Sequence, residues 1–213
     1  MGKKKIIQEV KKISQKKLEG ESSGHDFSHV ERVYKLALKI GKKEKADLFV
    51  LSLAALLHDI DVRRGRTNHH IRSAKVAGKI LEKLGVNKKT IIRVQEAIRA
   101  HSYRGAKENP AKTLEAKILS DADKLDVMGA IGVARIFMFN AHFGRPMHNS
   151  KLKPDPKRYS QKGAGSAINA FYEKIFLLPK VLHTKTAKKI GQQRIEFTKE
   201  FVKRFLEEWE GKI

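Results

Sequence analysis

The chain has 213 residues, no cysteine, and 46 Lys+Arg against 23 Asp+Glu, a formal net charge of +23. A chain this long buries roughly 70% of its unfolded surface, so it needs no staple, and the absent thiol excludes a disulfide scaffold, a thiolate zinc finger, a cysteine nucleophile and an iron–sulfur cluster. The lysines are spread along the whole chain rather than gathered in one block, so a nucleic-acid-binding patch, a field that draws small anions and the Lys-rich surface of a heat-adapted protein all fit, and the charge alone assigns no function.

Helical periods recur along the chain, and no two-residue alternation is long enough for a strand. Lys3 to Glu19 places Ile6, Val10, Ile13 and Leu18 near one face and stops at Gly20. A second helix starts near Asp26 or Phe27, carries Val30, Val33, Ala37 and Ile40 on one stripe, and ends at Gly41. Ala46 to Asp59 is apolar nearly all round, which predicts a central buried helix. Asn68 caps a helix bearing Ile71, Ala74, Gly78 and Leu81 and closed by Gly85; Asn87 caps the next, running to about His101. Thr113 opens a helix that reaches Ser120, and a further apolar helix spans about Leu125 to Phe143, with Gly129 and Gly132 read as points of close helix–helix packing. A long loop from Gly144 to Gly165 follows, then helices from Ser166 to about Leu178 and from Thr184 to Trp209. The aromatics Phe137, Phe139, Phe143, Phe171 and Tyr172 fall on apolar segments and read as core.

The basic start, Met1 to Lys5, leads into no apolar run, so it is not a signal peptide. The most apolar stretch, Leu48 to Leu57, is about half the length of a bilayer span. The expectation is a cytoplasmic chain with no membrane partner.

The chemistry concentrates in four places. Ala54, Ala55, Leu56 and Leu57 lead straight into His58 and Asp59, and a buried helix rarely ends on unpartnered polar groups because burying an unpaired charge is costly. Alone, the pair reads equally well as a C-terminal histidine favoured by the helix dipole and a loop aspartate. Upstream stand His25, Asp26 and His29, with Arg32 one turn further on. Downstream, Asp121, Asp123 and Asp126 crowd six positions between two apolar segments and call for a compensating cation. Two imidazoles and two carboxylates from separate helices make a mixed N/O donor set, which suits Mn²⁺, Fe²⁺, Co²⁺ or Mg²⁺ better than a closed structural zinc site. No Gly-x-x-x-x-Gly-Lys-Ser/Thr loop is present, which excludes a P-loop ATPase.

The combination His25-Asp-Phe-Ser-His29, Leu56-Leu-His-Asp-Ile60, His101-Ser102 and Asp121-Ala-Asp-Lys-Leu-Asp126 resembles the HD superfamily of metal-dependent phosphohydrolases, over roughly His25 to Arg135. The resemblance implies an all-α helical bundle forming a single domain over 1–213, with a metal-site core over about 25–143 and C-terminal helices over about 166–210. It implies one divalent metal ion held by His29, His58, Asp59 and Asp123, with Asp121 and Asp126 as supporting or capping groups. His70 and His101 fit the layer that accepts the proton, or a second metal bridged by Asp59; His69 reads equally as a solvated loop residue, whereas for His70 the functional reading leads. Asp61 is a further acid/base candidate or an ordinary turn residue. Arg63, Arg64 and Arg66 follow the His-Asp pair, Lys124 adjoins Asp123, and Arg32 follows His29; each could clamp a phosphate, or be a solvated cation. The implied activity is hydrolysis of a phosphate ester or anhydride in a nucleotide, a (deoxy)nucleoside triphosphate first. A two-metal cyclic-nucleotide phosphodiesterase and a non-enzymatic nucleic-acid-binding module are the rivals.

Overall fold

A computed structural model describes residues 1–21, 24–65, 67–102, 111–155 and 165–213, and among them every regular element is helical. The chain divides into two compact units, Met1–Asp123 and Lys124–Ile213.

The first unit holds α1 (Lys3–Lys17), α2 (Phe27–Glu44), α3 (Leu48–Leu57), α4 (His69–Lys83), α5 (Lys88–His101) and most of α6 (Leu114–Leu125). Its centre is α3, in which every residue from Val50 to Leu57 is buried. Asp47 starts this helix by accepting hydrogen bonds at Oδ1 from the backbone N–H of Phe49 (3.0 Å) and Val50 (3.2 Å). Helix α2 packs closely against it because Gly41 lacks a side chain: a Cβ there would stand 2.6 Å from Leu51 Cδ2. Gly41 therefore lies inside α2 rather than ending it. The chain leaves the helix at Lys45, with φ 58°. Helices α4 and α5 pair in the same manner, with Gln95 Nε2 donating to the Ala74 carbonyl (3.0 Å) across the face that Gly78 leaves open.

Three local expectations are corrected. Asn68 precedes α4 in the left-handed region (φ 56°) and makes no side-chain cap; asparagine tolerates that conformation, so it turns the chain instead. The helix predicted to stop at Ser120 continues through Asp121 and Asp123 to Leu125. Carboxylates near a helix C-terminus oppose the helix dipole, and nearby imidazoles compensate Asp123. Gly132 serves its own chain: a Cβ there would stand 2.3 Å from the Val127 carbonyl carbon, just before α7.

The second unit contains α7 (Gly129–His142), α8 (Ala167–Glu173), a 3-10 segment (Ile175–Val181) and α9 (Lys185–Trp209). Helix α9 is tied to the start of the unit by two bonds. Arg194 Nη1 donates to the Leu125 carbonyl (2.6 Å) and the Gly129 N–H donates to Thr198 Oγ1 (2.9 Å). Asp126 and Arg135 form a buried ion pair, Nη1 to Oδ2 at 2.9 Å. None of the described helices is long and apolar enough to cross a membrane.

Candidate metal centre

Five helices of the first unit each bring a histidine or carboxylate to one place. Asp26 caps α2 by accepting from the His29 N–H (2.9 Å), which sets His29 in the first turn. His58 and Asp59 follow directly from α3, His69 opens α4, His101 ends α5, and Asp123 lies in the last turn of α6. His29, His58, Asp59, His69 and His101 are all buried; the side chain of Asp123 is 24% exposed.

The donor atoms face one another. His58 Nε2 stands 3.2 Å from His29 Nε2 and 3.6 Å from Asp59 Oδ2. His29 Nε2 is 3.4 Å from Asp123 Oδ1 and 3.7 Å from Asp59 Oδ2. Donors bound about 2.0–2.2 Å from a shared ion and at right angles stand about 3 Å apart, so these spacings suit a single cation. Two further observations agree. His58 Nδ1 lies 2.8 Å from the Ala55 carbonyl; a carbonyl only accepts, so the proton is on Nδ1 and the Nε2 lone pair points inward. Asp59 Oδ1 is buried without a well-formed hydrogen bond, a state that costs free energy unless a cation approaches.

Around this quartet stand three more imidazoles. His25 Nδ1 is 2.9 Å from Asp59 Oδ2, while its backbone N–H donates to Glu21 Oε2 (2.8 Å). On the other oxygen, Asp59 Oδ1, lie His69 Nε2 at 3.2 Å and His101 Nε2 at 3.6 Å. Burial opposes the Asp59 charge, but His58, His101, His25 and His69 around it outweigh burial and hold the carboxyl well below the usual range. Burial likewise opposes the charge of Asp123, and His29, His101 and His58 bring its carboxyl down. Burial lowers His101 below the ordinary imidazole value, with Asp59 opposing in part. His101 Nδ1 donates to the Ile98 carbonyl at 2.6 Å, leaving Nε2 as its basic atom.

The remaining candidates separate by environment. Of the adjacent pair, it is His69 whose ring nitrogen faces Asp59; the His70 ring lies 5.7 Å from that of His69. Asp61 is engaged by Arg72, whose Nε donates to Oδ2 at 2.8 Å. Arg72 also donates to the Thr67 and Gly65 carbonyls, and Ser73 Oγ accepts from the Asp61 N–H (3.2 Å). The loop after the His-Asp pair is thus braced by the start of α4, and Asp61 serves that brace. Arg63 Nη1 donates to the Glu19 carbonyl (2.8 Å). Arg64 reaches Asp61 Oδ1 at 3.6 Å with its side chain 80% exposed, and Arg66 lies outside the described residues. Arg32 stands on α2 and Lys124 on α6, the helices that carry His29 and Asp123. Asp121 is buried on α6, and the carboxylate of Asp126 is taken by Arg135. Sequence reading overlooked Arg72 and gave no role to His69 or His25. His25 was visible as part of a histidine cluster, but nothing in a sequence tells which of two adjacent histidines turns inward.

The HD domain family model matches residues 26–128. Along 202 residues the chain is 35% identical to YpgQ of Bacillus subtilis, covering 93% of this chain and 91% of that one. The chain belongs to the HD-domain family. A crystal structure of YpgQ in complex with ADP is similar with a TM-score of 0.74 and 34% identity, covering 95% of this chain and 96% of that chain. A Lactobacillus plantarum protein of solved structure matches with a TM-score of 0.83 at 28% identity over 99% of this chain and 100% of that one. An HD-superfamily hydrolase from Bacillus thuringiensis matches at 0.76 and 29% identity, over 98% and 99% of the two chains. The His/Asp cluster of this chain is able to hold a metal ion.

Proposed function

We propose that this HD-domain chain is a metal-dependent phosphohydrolase that cleaves a phosphate anhydride or ester of a nucleotide, with (deoxy)nucleoside triphosphates the first class to test. The observation that carries the reading is the convergence of His29 Nε2 and His58 Nε2 on the carboxylates of Asp59 and Asp123, with spacings of 3.2–3.7 Å. The ADP bound by YpgQ supports a nucleotide as the phosphorylated partner. His29, His58, Asp59 and Asp123 would hold Mn²⁺, Fe²⁺, Co²⁺ or Mg²⁺, which when bound polarises a phosphoryl group and lowers the pKa of a water.

The protein's own groups supply the rest. Neutral His101 presents Nε2 as a base, with Nδ1 anchored on Ile98, and accepts the proton of the attacking water while the P–O bond to the leaving group breaks. Asp59 Oδ1, 3.6 Å away, stabilises the imidazolium that forms. Exposed Arg64 meets negative charge on the part of the substrate that does not react. The test is metal analysis of the purified protein, then phosphate and pyrophosphate release across a nucleotide panel with Mn²⁺, Mg²⁺ and Co²⁺. Absence of metal-dependent release from every nucleotide overturns the reading.

A pH profile checks the base. Burial holds His101 below about 6.5, the ordinary imidazole value. Turnover is therefore retained as pH falls to 6.5 and is lost only below it, as Nε2 becomes protonated. An acid limb at pH 7 or above rules His101 out as the base.

A two-metal reading draws on the division of Asp59, whose Oδ2 faces His25, His29 and His58 while Oδ1 faces His69 and His101. His101→Ala separates the two. In the one-metal enzyme it leaves one ion per chain and lowers turnover by about 10²–10⁴. Two ions in the parent and one in the variant establish the other.

The arginine loop yields a comparison within one segment. Arg64→Ala is expected to raise KM for a triphosphate roughly tenfold, the equivalent of one charge-assisted hydrogen bond. Arg63→Ala leaves KM alone, since that guanidinium is committed to the Glu19 carbonyl. Equal KM values in both variants and the parent show that substrate charge is met elsewhere, with Lys124 and Arg32 next in line.

A further inference from the structure

Away from the histidine cluster, three charged side chains join the helices that deliver its members. Arg93 of α5 donates from Nη1 to Asp47 Oδ2 at 2.8 Å and lies with Nη2 3.2 Å from Glu115 Oε1. The same Oε1 accepts from the Asp47 backbone N–H at 3.0 Å. Asp47 is the residue that caps α3, and Glu115 is the second residue of α6. Glu115 is only 10% exposed at its side chain, and Arg93 is 35% exposed. The guanidinium therefore bridges two carboxylates that would otherwise repel each other beside the same backbone N–H.

The chain positions give this triad its meaning. From Asp47, α3 runs to His58 and Asp59. From Arg93, α5 runs to His101, and from Glu115, α6 runs to Asp123. At 1.5 Å per residue, the two eight-residue paths are about 12 Å and the path along α3 is about 16 Å. Three helices are pinned to one another near one end and present the cluster at the other. A helix is stiff along its axis, so a slip of one helix at the pin is carried to its far end undiminished. A displacement near 1 Å there is large against donor spacings of 3.2–3.7 Å.

We propose that Arg93 is a positioning residue: by joining Asp47 and Glu115 it sets the axial register of α3, α5 and α6, and through it the spacing of His58, Asp59, His101 and Asp123. Burial alone would lower the Arg93 guanidinium, but hydrogen bonding to Asp47 and the charges of Glu115 and Asp47 raise it above its ordinary value, in keeping with a pair formed in the folded chain. The inference rests on reading the cluster as a metal centre.

The experiment uses the full chain, stripped of metal and titrated with Co²⁺ alone, whose visible spectrum reports the number and arrangement of donors. Arg93→Met keeps the length and apolar stem of the side chain and removes its charge. It is expected to weaken Co²⁺ binding about tenfold and to alter the shape of the visible bands. Arg93→Lys, with one compact cation in place of the fork, should recover binding in part. Glu115→Gln retains an acceptor for the Asp47 N–H and is expected to weaken binding by a smaller factor with a similar spectral change. It also serves as the deciding variant should Arg93→Met fail to fold. Thermal unfolding of the metal-free proteins runs alongside. Parent-like Co²⁺ affinity and spectrum in the folded variants, at whatever melting temperature, overturn the proposal and leave the triad as a fold brace. Failure of the parent chain to bind Co²⁺ refutes the metal-centre reading itself and removes the basis of the inference with it.

Discussion

Asp59→Ala is expected to release the bound divalent ion and to bring nucleotide hydrolysis down to background. Asp59 is the one side chain approached by every imidazole of the cluster, at 2.9 Å from His25, 3.2 Å from His69, 3.6 Å from His58 and His101 and 3.7 Å from His29. Loss of a group that merely orients a ligand typically costs 10–100-fold in metal affinity, so loss of the central carboxylate should exceed about 100-fold. His58→Ala removes the neighbouring donor and should follow closely. The apolar residues of α3 stay in place in both variants, so helical content is retained. Stoichiometric metal together with undiminished turnover in either variant would sink the assignment.

The largest effect on stability is expected in the second unit, from Arg135→Ala. Its partner Asp126 is 2% exposed at the side chain and Arg135 is 8% exposed. The alanine variant takes from a buried carboxylate the guanidinium that stands 2.9 Å away and leaves the charge of Arg194 as compensation, so the expected cost lies at the lower end of the about 3–5 kcal/mol of a broken buried pair. Replacing both members with apolar residues, Arg135→Met with Asp126→Leu, should return most of that loss, since the penalty lies in burying a carboxylate that has lost its closest cation. Urea unfolding of the parent and both variants decides it. A single-variant loss below about 1 kcal/mol, or a double variant as weak as the single one, contradicts the buried-pair account.

Helix identity was legible because apolar spacing and caps agree locally: Asp26, Asp47, Asn87 and Thr184 each cap where a helix begins. The ends were less legible. Gly41 looks like a stop signal but serves the approach of Leu51, a contact ten residues ahead that no local pattern encodes. Asp121 and Asp123 after Ser120 look like a break in a helix that in fact continues, and the compensation of Asp123 comes from imidazoles on other helices. The same limit applies to the site. His29, His58, Asp59 and Asp123 stood out as polar groups at the margins of apolar runs. The choice between His69 and His70 depends on how α4 is rotated, which its own residues do not state. Arg72 and Arg93 were indistinguishable in sequence from the chain's other cations, since burial and partners, not residue type, separate a clamp from a solvated charge.

The anchoring of His58 on Ala55 and of His101 on Ile98 has a consequence for how metal would come and go. Each ring is oriented by a carbonyl three residues earlier in the same chain segment, so the orienting bond forms as the helix forms. Those two rings take their aim from the helices themselves and not from an ion. Exchange of one divalent ion for another would then need no refolding and little local rearrangement. Metal identity would follow donor preference and the supply of each ion around the protein.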